Sequence, residues 1–189
     1  MRSTKAKAAE TRDRIITEAA QQFRVRGFAG IGVADIMKRV GLTHGGFYAH
    51  FASKEDLMAL ACRRAVGDML DDWRSKAVAA PEDALGAIVR PYLSAEHRDR
   101  PATGCLMATL GPEASREDEP VRRAVTECLE DVLETLERHV TGTGRQEQRR
   151  QAICIFTTLV GAMVTARAVA DPALSDEILR TVEASFAHN

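Results

Sequence analysis

Apolar residues recur at intervals of three and four along most of this chain, and no stretch alternates convincingly between apolar and polar residues. This spacing places apolar side chains on one face of an α-helix, whereas a half-buried strand needs a period of two. Aromatic residues make up only 5% of the chain, and Ala, Leu and Val dominate the apolar set, which also favours packed helices. The sequence therefore predicts an all-α fold.

Prolines and glycines divide this pattern into about nine helical stretches. Gly27 is expected to end the first helix, Pro81 to begin the fifth, and Pro91 to kink or end the fifth. Residues 96–101 are interpreted as a polar loop. The predicted helices cover about 8–25, 33–40, 43–51, 54–79, a stretch from 81, a stretch containing 105–110, 121–140, 145–170 and 174–187.

The net charge of −1 conceals a basic N-terminal third. Residues 1–54 hold 10 Lys and Arg against 4 Asp and Glu, a balance of +6, whereas residues 55–189 hold 16 against 23, a balance of −7. A polyanionic partner is therefore expected to bind the N-terminal third. Chance clustering is the alternative that charge alone leaves open.

Cysteine and histidine spacing argues against a disulfide framework or a metal site. Cys62, Cys105, Cys128 and Cys154 are far apart, which favours a reducing cytoplasm. His97 and His139 are too isolated to indicate a metal site, and we expect no metal and no cofactor. With no run of about 18 apolar residues and no signal-peptide layout, we expect no membrane association.

The region around Gly41 has the pattern of a helix-turn-helix, in which two short helices flank a tight turn. In such a unit the second helix enters the major groove of DNA. Phe47 and Phe51 are four residues apart and share an apolar face, while His44 and Tyr48 share a neighbouring polar face. A loop is the alternative, but the spacing of the two phenylalanines favours a helix.

Gly45 and Gly46 are unusual inside this predicted helix, because each costs about 1 kcal/mol relative to Ala. Close approach of the backbone to another surface would explain them. Thr43 is placed to cap the helix through its hydroxyl. Lys54 lies in the first turn of the next helix, where a nearby phosphate would offset the unfavourable dipole. A surface lysine without a role is the alternative for Lys54.

The run 41–57 reads Gly-Leu-Thr-His-Gly-Gly-Phe-Tyr-Ala-His-Phe-Ala-Ser-Lys-Glu-Asp-Leu. It closely resembles the TetR/AcrR-type repressors, whose signature there is roughly G-[VL]-[ST]-x-G-x-[LF]-Y-x-H-F-x-[ST]-K-E-x-L. Gly32, where the family usually has Thr or Ser, and Met37, where it has a small Ala, depart from the pattern. Residues 104–113 are similar to a ligand-domain segment of one subfamily. Upstream matches are Thr11, Arg12, Ile15, Ala19, Phe23, Gly27, Phe28, Val33 and Ile36.

The resemblance implies a three-helix DNA-binding domain at 1–53 and a ligand-sensing and dimerisation domain at 54–189. It implies that the chain is a repressor of a palindromic double-stranded DNA operator. The residues implied to contact phosphates are Thr43, Tyr48, His50 and Lys54. The residues implied to approach base edges are His44, Gly45 and Gly46.

The resemblance also implies a homodimer, formed by a four-helix bundle of the last two helices from each subunit. These helices run from Ile153 to Ala168 and from Leu174 to Phe186, and Gly161 would permit close approach. The alternative is that their apolar faces belong to the core of a monomer. Because helix-turn-helix heads usually act in pairs on palindromic sites, we expect the dimer.

The helices between residues 54 and 170 are implied to enclose a pocket for a small apolar or aromatic effector that releases the DNA. The candidate ligand-binding residues are Trp73, Tyr92, Cys105, Met107 and Phe156, although each could simply belong to the core. Cys105 is either a redox or electrophile sensor or a buried, inert thiol.

Two other classes of protein are considered, an enzyme and a protein-binding helical module. The sequence contains no GxSxG elbow, P-loop or HExxH motif, so we do not expect an enzyme. Sequence-selective, salt-dependent DNA binding would separate a repressor from both alternatives.

Overall fold

The computed structural model describes residues 4–186, and its regular structure in that range is entirely helical. This confirms the all-α prediction. The α-helices are α1 (Thr4–Arg26), α2 (Val33–Arg39), α3 (Lys54–Ala79), α4 (Ala84–Tyr92), α5 (Ala95–Asp99), α6 (Met107–Ala114), α7 (Glu119–Glu137), α8 (Arg145–Ala168) and α9 (Pro172–Phe186). The 3₁₀ helices are η1 (His44–Ala49), η2 (Pro81–Asp83) and η3 (Pro101–Thr103).

The first helix, α1, buries the apolar stripe that its sequence predicts. Ile15, Ala19 and Phe23 are almost completely excluded from solvent. Gly27 ends the helix with a φ of +78°, a conformation that favours glycine, and its N–H donates to the Phe23 carbonyl at 2.8 Å.

The second element of the helix-turn-helix is the 3₁₀ helix η1. The prediction over 43–51 is therefore right that a helix forms but wrong that it is an α-helix. Its turns close through i→i+3 bonds, from Gly46 N–H to the Thr43 carbonyl at 3.1 Å and from His50 N–H to the Phe47 carbonyl at 2.9 Å. The two adjacent glycines weaken the preference for an α-helix. The prediction that the Thr43 hydroxyl caps this helix is also wrong, because no side-chain capping bond forms.

The long helix α3 has 26 residues and spans about 39 Å. Ser53 caps it, since its hydroxyl accepts from Asp56 N–H at 3.2 Å. Buried residues along α3 pack against α1 and α7 and belong to one apolar core that extends from the N-terminal head into the body. Helix α3 therefore connects the predicted domains, and the boundary at residue 53 stays a prediction.

Two local predictions for the body need correction. The segment predicted as a polar loop over 96–101 overlaps α5, which Ser94 caps by accepting from His97 N–H at 3.1 Å. Cys105 precedes α6 instead of lying in it, because that helix begins at Met107. The predicted end of the ninth helix at Ala187 lies outside the described residues.

Helix α8 is long enough and apolar enough to cross a membrane by length and composition alone, with a mean hydropathy of 1.4. It is the one such helix among residues 4–186, and 33% of its apolar window is buried against the rest of the chain. Core helices of soluble proteins also satisfy this criterion. The sequence-based expectation of no membrane association therefore stays a prediction.

Candidate DNA-binding surface and ligand cleft

The η1 helix has one buried aromatic face and one exposed polar face. Phe47 and Phe51 are 1% and 3% exposed, and their rings stack with centroids 5.2 Å apart. Tyr48 is 67% exposed and meets the exposed His44 ring edge-on at 6.1 Å. The two phenylalanines thus lie where their spacing predicts, and the polar aromatic pair is available to a partner.

Gly45 and Gly46 have no role that the chain itself requires. A Cβ built on Gly45 meets nothing within 4 Å, and one built on Gly46 meets only Met37 Cε at 3.7 Å and Thr43 Oγ1 at 3.9 Å, which are ordinary contacts. Neither glycine has a positive φ. Neither the packing nor the backbone conformation explains why two residues of low helix propensity stand here.

Helix α1 holds the helix-turn-helix through two arginines. Arg12 Nε donates to the His50 carbonyl at 3.4 Å, and its guanidinium lies 5.1 Å from the centre of the Phe51 ring. Arg14 donates to the Val40 carbonyl at 2.9 Å, at the negative end of the α2 dipole. Part of the basic charge in the head therefore orients the helix-turn-helix.

Lys54 joins the head to the body. Its ammonium donates to the Phe28 carbonyl at 2.6 Å, and the Phe28 N–H donates to the Glu113 carboxylate of α6 at 2.7 Å. A Cβ at Gly27 would lie 2.5 Å from Glu113 Oε1, so a side chain there would displace this carboxylate. The phosphate contact implied for Lys54 is untested, and the lysine has this structural contact in addition.

A cleft of about 530 Å³ opens between α1, α3, α4 and the segment that precedes α6. Three of the five predicted ligand-binding residues line it, namely Trp73, Tyr92 and Cys105. The Trp73 and Tyr92 rings meet edge-on at 6.1 Å. The size lies within the range of pockets for small organic molecules.

Met107 and Phe156 do not line this cleft. With Cys105 they surround a separate cavity of only about 10 Å³, too small for an organic ligand. Phe156 is 4% exposed and belongs to the core. The grouping of five residues in one pocket is therefore wrong. Helix α1 forms one wall of the larger cleft, whereas the predicted enclosure included only later helices.

Arg24 is the lining residue that sequence reasoning missed. It lies on α1, one turn after the buried Ala20, and is itself only 7% exposed. An arginine at a position of the apolar stripe was the available signal, since such residues are rarely buried without a partner. Thr17 and Gln21 of α1 also line the cleft.

His97 holds the segment before α6 in place. Its Nε2 accepts from Cys105 N–H at 2.9 Å, so the proton lies on Nδ1, which donates to the Tyr92 carbonyl at 2.6 Å. Burial, followed by the nearby cations Arg167 and Arg24, lowers the pKa of His97 below its ordinary 6.5. This histidine is a structural link, and no cluster of metal-binding side chains occurs within residues 4–186.

The buried thiols have the character of inert residues. Burial raises the pKa of Cys105 above its ordinary value, and it raises the pKa of Cys62 to about 12 and that of Cys128 to about 11. Because the thiolate is the reactive form, these values favour the inert thiol over the sensor for Cys105.

One face of α8 is apolar and uncovered. Ile153 and Val164 are 43% and 39% exposed, and a Cβ built on the exposed Gly161 meets nothing within 4 Å. Leu174 of α9 is 43% exposed on the neighbouring helix. The predicted interface helices thus present apolar surface, although Phe156 faces the interior.

A helix-turn-helix at one end of an all-α body is the architecture of a DNA-binding transcriptional regulator. The family described as "Bacterial regulatory proteins, tetR family" matches residues 15–61, and "Tetracyclin repressor-like, C-terminal domain" matches residues 81–182. The chain therefore belongs to the TetR family of helix-turn-helix transcriptional regulators, which confirms the resemblance in its sequence. DNA binding and a response to ligands are typical of this family.

Known relatives extend over most of the chain. The transcriptional regulator LmrA of Bacillus subtilis is 26% identical over 82% of each chain. The transcriptional repressor NemR of Escherichia coli K12 is 24% identical over 84% of each chain. The crystal structure of reduced E. coli NemR has the same fold, with a TM-score of 0.78 over 93% of this chain and 94% of that one. These relatives are transcriptional regulators and not enzymes.

Proposed function

We propose that this chain is a homodimeric, cytoplasmic repressor that binds a palindromic DNA operator and releases it when a small apolar or aromatic effector binds. The observation that carries the proposal is the open turn at Gly45 and Gly46, beside the exposed Tyr48 on a basic head. Because neither glycine has a side chain, the backbone of this segment can approach base edges closely.

In this proposal His44, Gly45 and Gly46 approach the bases, while four neighbouring residues position the head on the phosphates. The phosphate-binding residues are Thr43, Tyr48, His50 and Lys54. An ammonium has three donors, so the bond from Lys54 to Phe28 leaves two for a phosphate oxygen. Gly32 has no hydroxyl, so it caps α2 through no side chain and can offer none to a phosphate.

The homodimer is supported by the uncovered face of α8. Apolar side chains at Ile153 and Val164 and a glycine that the chain's own packing does not require suit a closely packed helical interface. Covering this face by a second copy would also explain why α8 is as apolar as a membrane helix.

Repression and release are supported by the relatives and by the cleft. Two relatives, NemR and BepR of Brucella suis, are named repressors. The cleft lies between α1 of the head and α3 and α4 of the body, so an occupant contacts both parts. A ligand with different affinities for two arrangements of head and body shifts their equilibrium.

Selection of bound DNA from a random duplex pool tests the proposal. We expect the full chain to recover a palindrome whose half-sites lie about one helical turn apart or slightly more. Recovery of single, asymmetric half-sites would contradict the paired heads, and recovery of no common sequence would contradict the repressor.

A further inference from the structure

The cleft contains a buried cation that forms no ion pair with the described residues. Burial lowers the pKa of Arg24, and the Asp68 carboxylate raises it from beyond ion-pairing distance. Arg24 donates through Nη1 to the Gly104 carbonyl at 3.2 Å, but its buried Nε forms no hydrogen bond. Among the described residues no carboxylate oxygen lies within ion-pairing distance of this guanidinium. A buried charge without a partner is costly, so the site is incomplete as it stands.

Each carboxylate that lines the same cleft lies beside another cation. Asp72 forms an ion pair with Lys76, Glu96 with Arg100 at 2.6 Å, and Asp68 lies 4.0 Å from Arg64. The lining therefore contains three carboxylates with cationic partners and one guanidinium without an anionic partner.

A second polar group in the cleft also lacks a partner. Tyr92 is 4% exposed, and its buried hydroxyl has no partner among the described residues that meets the geometry of a hydrogen bond. The Cys105 thiol lies close enough to affect the pKa of Tyr92, but sulfur is only a weak acceptor. Burial is the main reason that the pKa of Tyr92 lies well above its usual 10.0, so the hydroxyl stays protonated and can donate. The adjacent Trp73 ring supplies an aromatic wall.

We propose that the cleft takes an aromatic carboxylic acid, whose ring lies against Trp73 and whose carboxylate pairs with the Arg24 guanidinium. Arg24 Nε and the Tyr92 hydroxyl are both buried from solvent, so the carboxylate accepts from these two atoms after the side chains that cover them shift. The acid supplies the counter-ion that the buried guanidinium lacks, and charge-assisted hydrogen bonds are stronger than neutral ones. The inference rests on the proposed function, since it names the chemical class of the effector.

Titration calorimetry with the full chain tests this inference with matched acids and neutral amides. The probes are benzoate, 2-naphthoate and 4-phenylbenzoate, each compared with its primary amide. We expect at least one acid to bind more tightly than its amide by about tenfold or more, as one charge-assisted hydrogen bond provides. Equal affinities of every acid and its amide, or no acid with a Kd below about 1 mM, would overturn the proposal.

Three variants locate the preference for the acid. Arg24→Gln should abolish it, whereas Arg100→Gln is a matched control, because Arg100 lines the same cleft but is exposed and paired with Glu96. Tyr92→Phe removes only the hydroxyl and should weaken acid binding severalfold even if Arg24→Gln does not fold. An unchanged preference in Tyr92→Phe and in folded Arg24→Gln, or its loss in Arg100→Gln alone, would place the acid elsewhere.

These titrations contain no DNA, so their failure is distinguishable from failure of the proposed function. Acid binding without any effect on operator affinity would leave the inference standing and contradict the proposed release. Operator binding by a protein that binds none of the three acids would contradict the inference and leave the proposed DNA binding standing.

Discussion

At the scale of a single residue, a substitution at Gly45 should affect folding stability and DNA binding in opposite directions. Its φ is not positive and the space around it is open, so Gly45→Ala should stabilise the protein by about 0.4–1 kcal/mol. The same methyl group should obstruct the base edges and weaken operator binding by about 1–3 kcal/mol. Urea unfolding and fluorescence anisotropy with labelled operator measure the two effects.

Gly67→Ala is the control for this substitution. Gly67 is exposed in the middle of α3, and a Cβ there also meets nothing within 4 Å. We expect it to raise stability by about 1 kcal/mol without changing operator affinity. Equal operator affinity for Gly45→Ala and wild type would show that Gly45 does not lie against base edges.

His97 should make stability depend on pH in a defined window. Its folded pKa is lowered from 6.5, so below about pH 6.5 the unfolded chain binds the proton more readily and the free energy of unfolding falls. Protonation also removes the Nε2 acceptor of Cys105 N–H. The pH dependence, measured by urea unfolding between about pH 7.5 and 5.5, should shrink in His97→Gln.

His139→Gln is the comparison for that experiment. Burial lowers the pKa of His139 as well, but its ring has none of the backbone partners that His97 has. The two variants therefore separate the contribution of each histidine. A wild-type slope that His97→Gln leaves intact would show that this link does not control stability in that window.

The residues that sequence reasoning located correctly are those whose environment is local. Phe47, Phe51 and Tyr48 take their positions from helical spacing within one short segment. Met107 and Phe156 were misplaced, and Arg24 was missed, because the cleft depends on how α1 packs against later helices. The spacing of residues along the chain does not show how α1 packs against those helices.

The uncovered face of α8 carries the prediction at the scale of an element. Val164→Asp should leave the monomer folded, since Val164 is 39% exposed, but it places a charge without a partner in the dimer seam. We expect sedimentation velocity to show a monomer with unchanged helical circular dichroism.

Val78→Asp provides the matched control, because Val78 is 81% exposed on α3 and lies outside the proposed interface. It should remain as dimeric as the wild type. A dimer that survives Val164→Asp at the same concentrations would place the interface on another surface.

Some helix boundaries were predictable from the sequence. Gly27 ends α1 with a positive φ, and α3 covers Lys54–Ala79 as predicted. The last helix begins at Pro172, two residues before the predicted start. The type of η1 and the existence of α5 were not predictable, because short helices depend on packing against neighbouring elements more than on propensity. In the six-residue η1, Phe47 is buried and Tyr48 is exposed as predicted, although the helix is 3₁₀.

On the scale of the whole molecule, side-chain hydrogen bonds join the head to the body. Arg24 of α1 binds the Gly104 carbonyl, and Glu113 of α6 binds Phe28 N–H beside the start of α3. Because Arg24 of α1 lines the cleft, an occupant that changes the position of α1 would, in the proposed mechanism, also change the orientation of the head. Linkage then requires operator DNA to weaken effector binding by the same factor.

The central claim is that this head distinguishes one DNA sequence from another, and a ratio of two affinities tests it most directly. The measurement compares the full chain on the selected palindrome and on a scrambled duplex of equal composition at one fixed salt concentration. We predict at least about a thousandfold tighter binding to the palindrome, as specific DNA-binding proteins show. Equal affinity for the two duplexes would contradict the account.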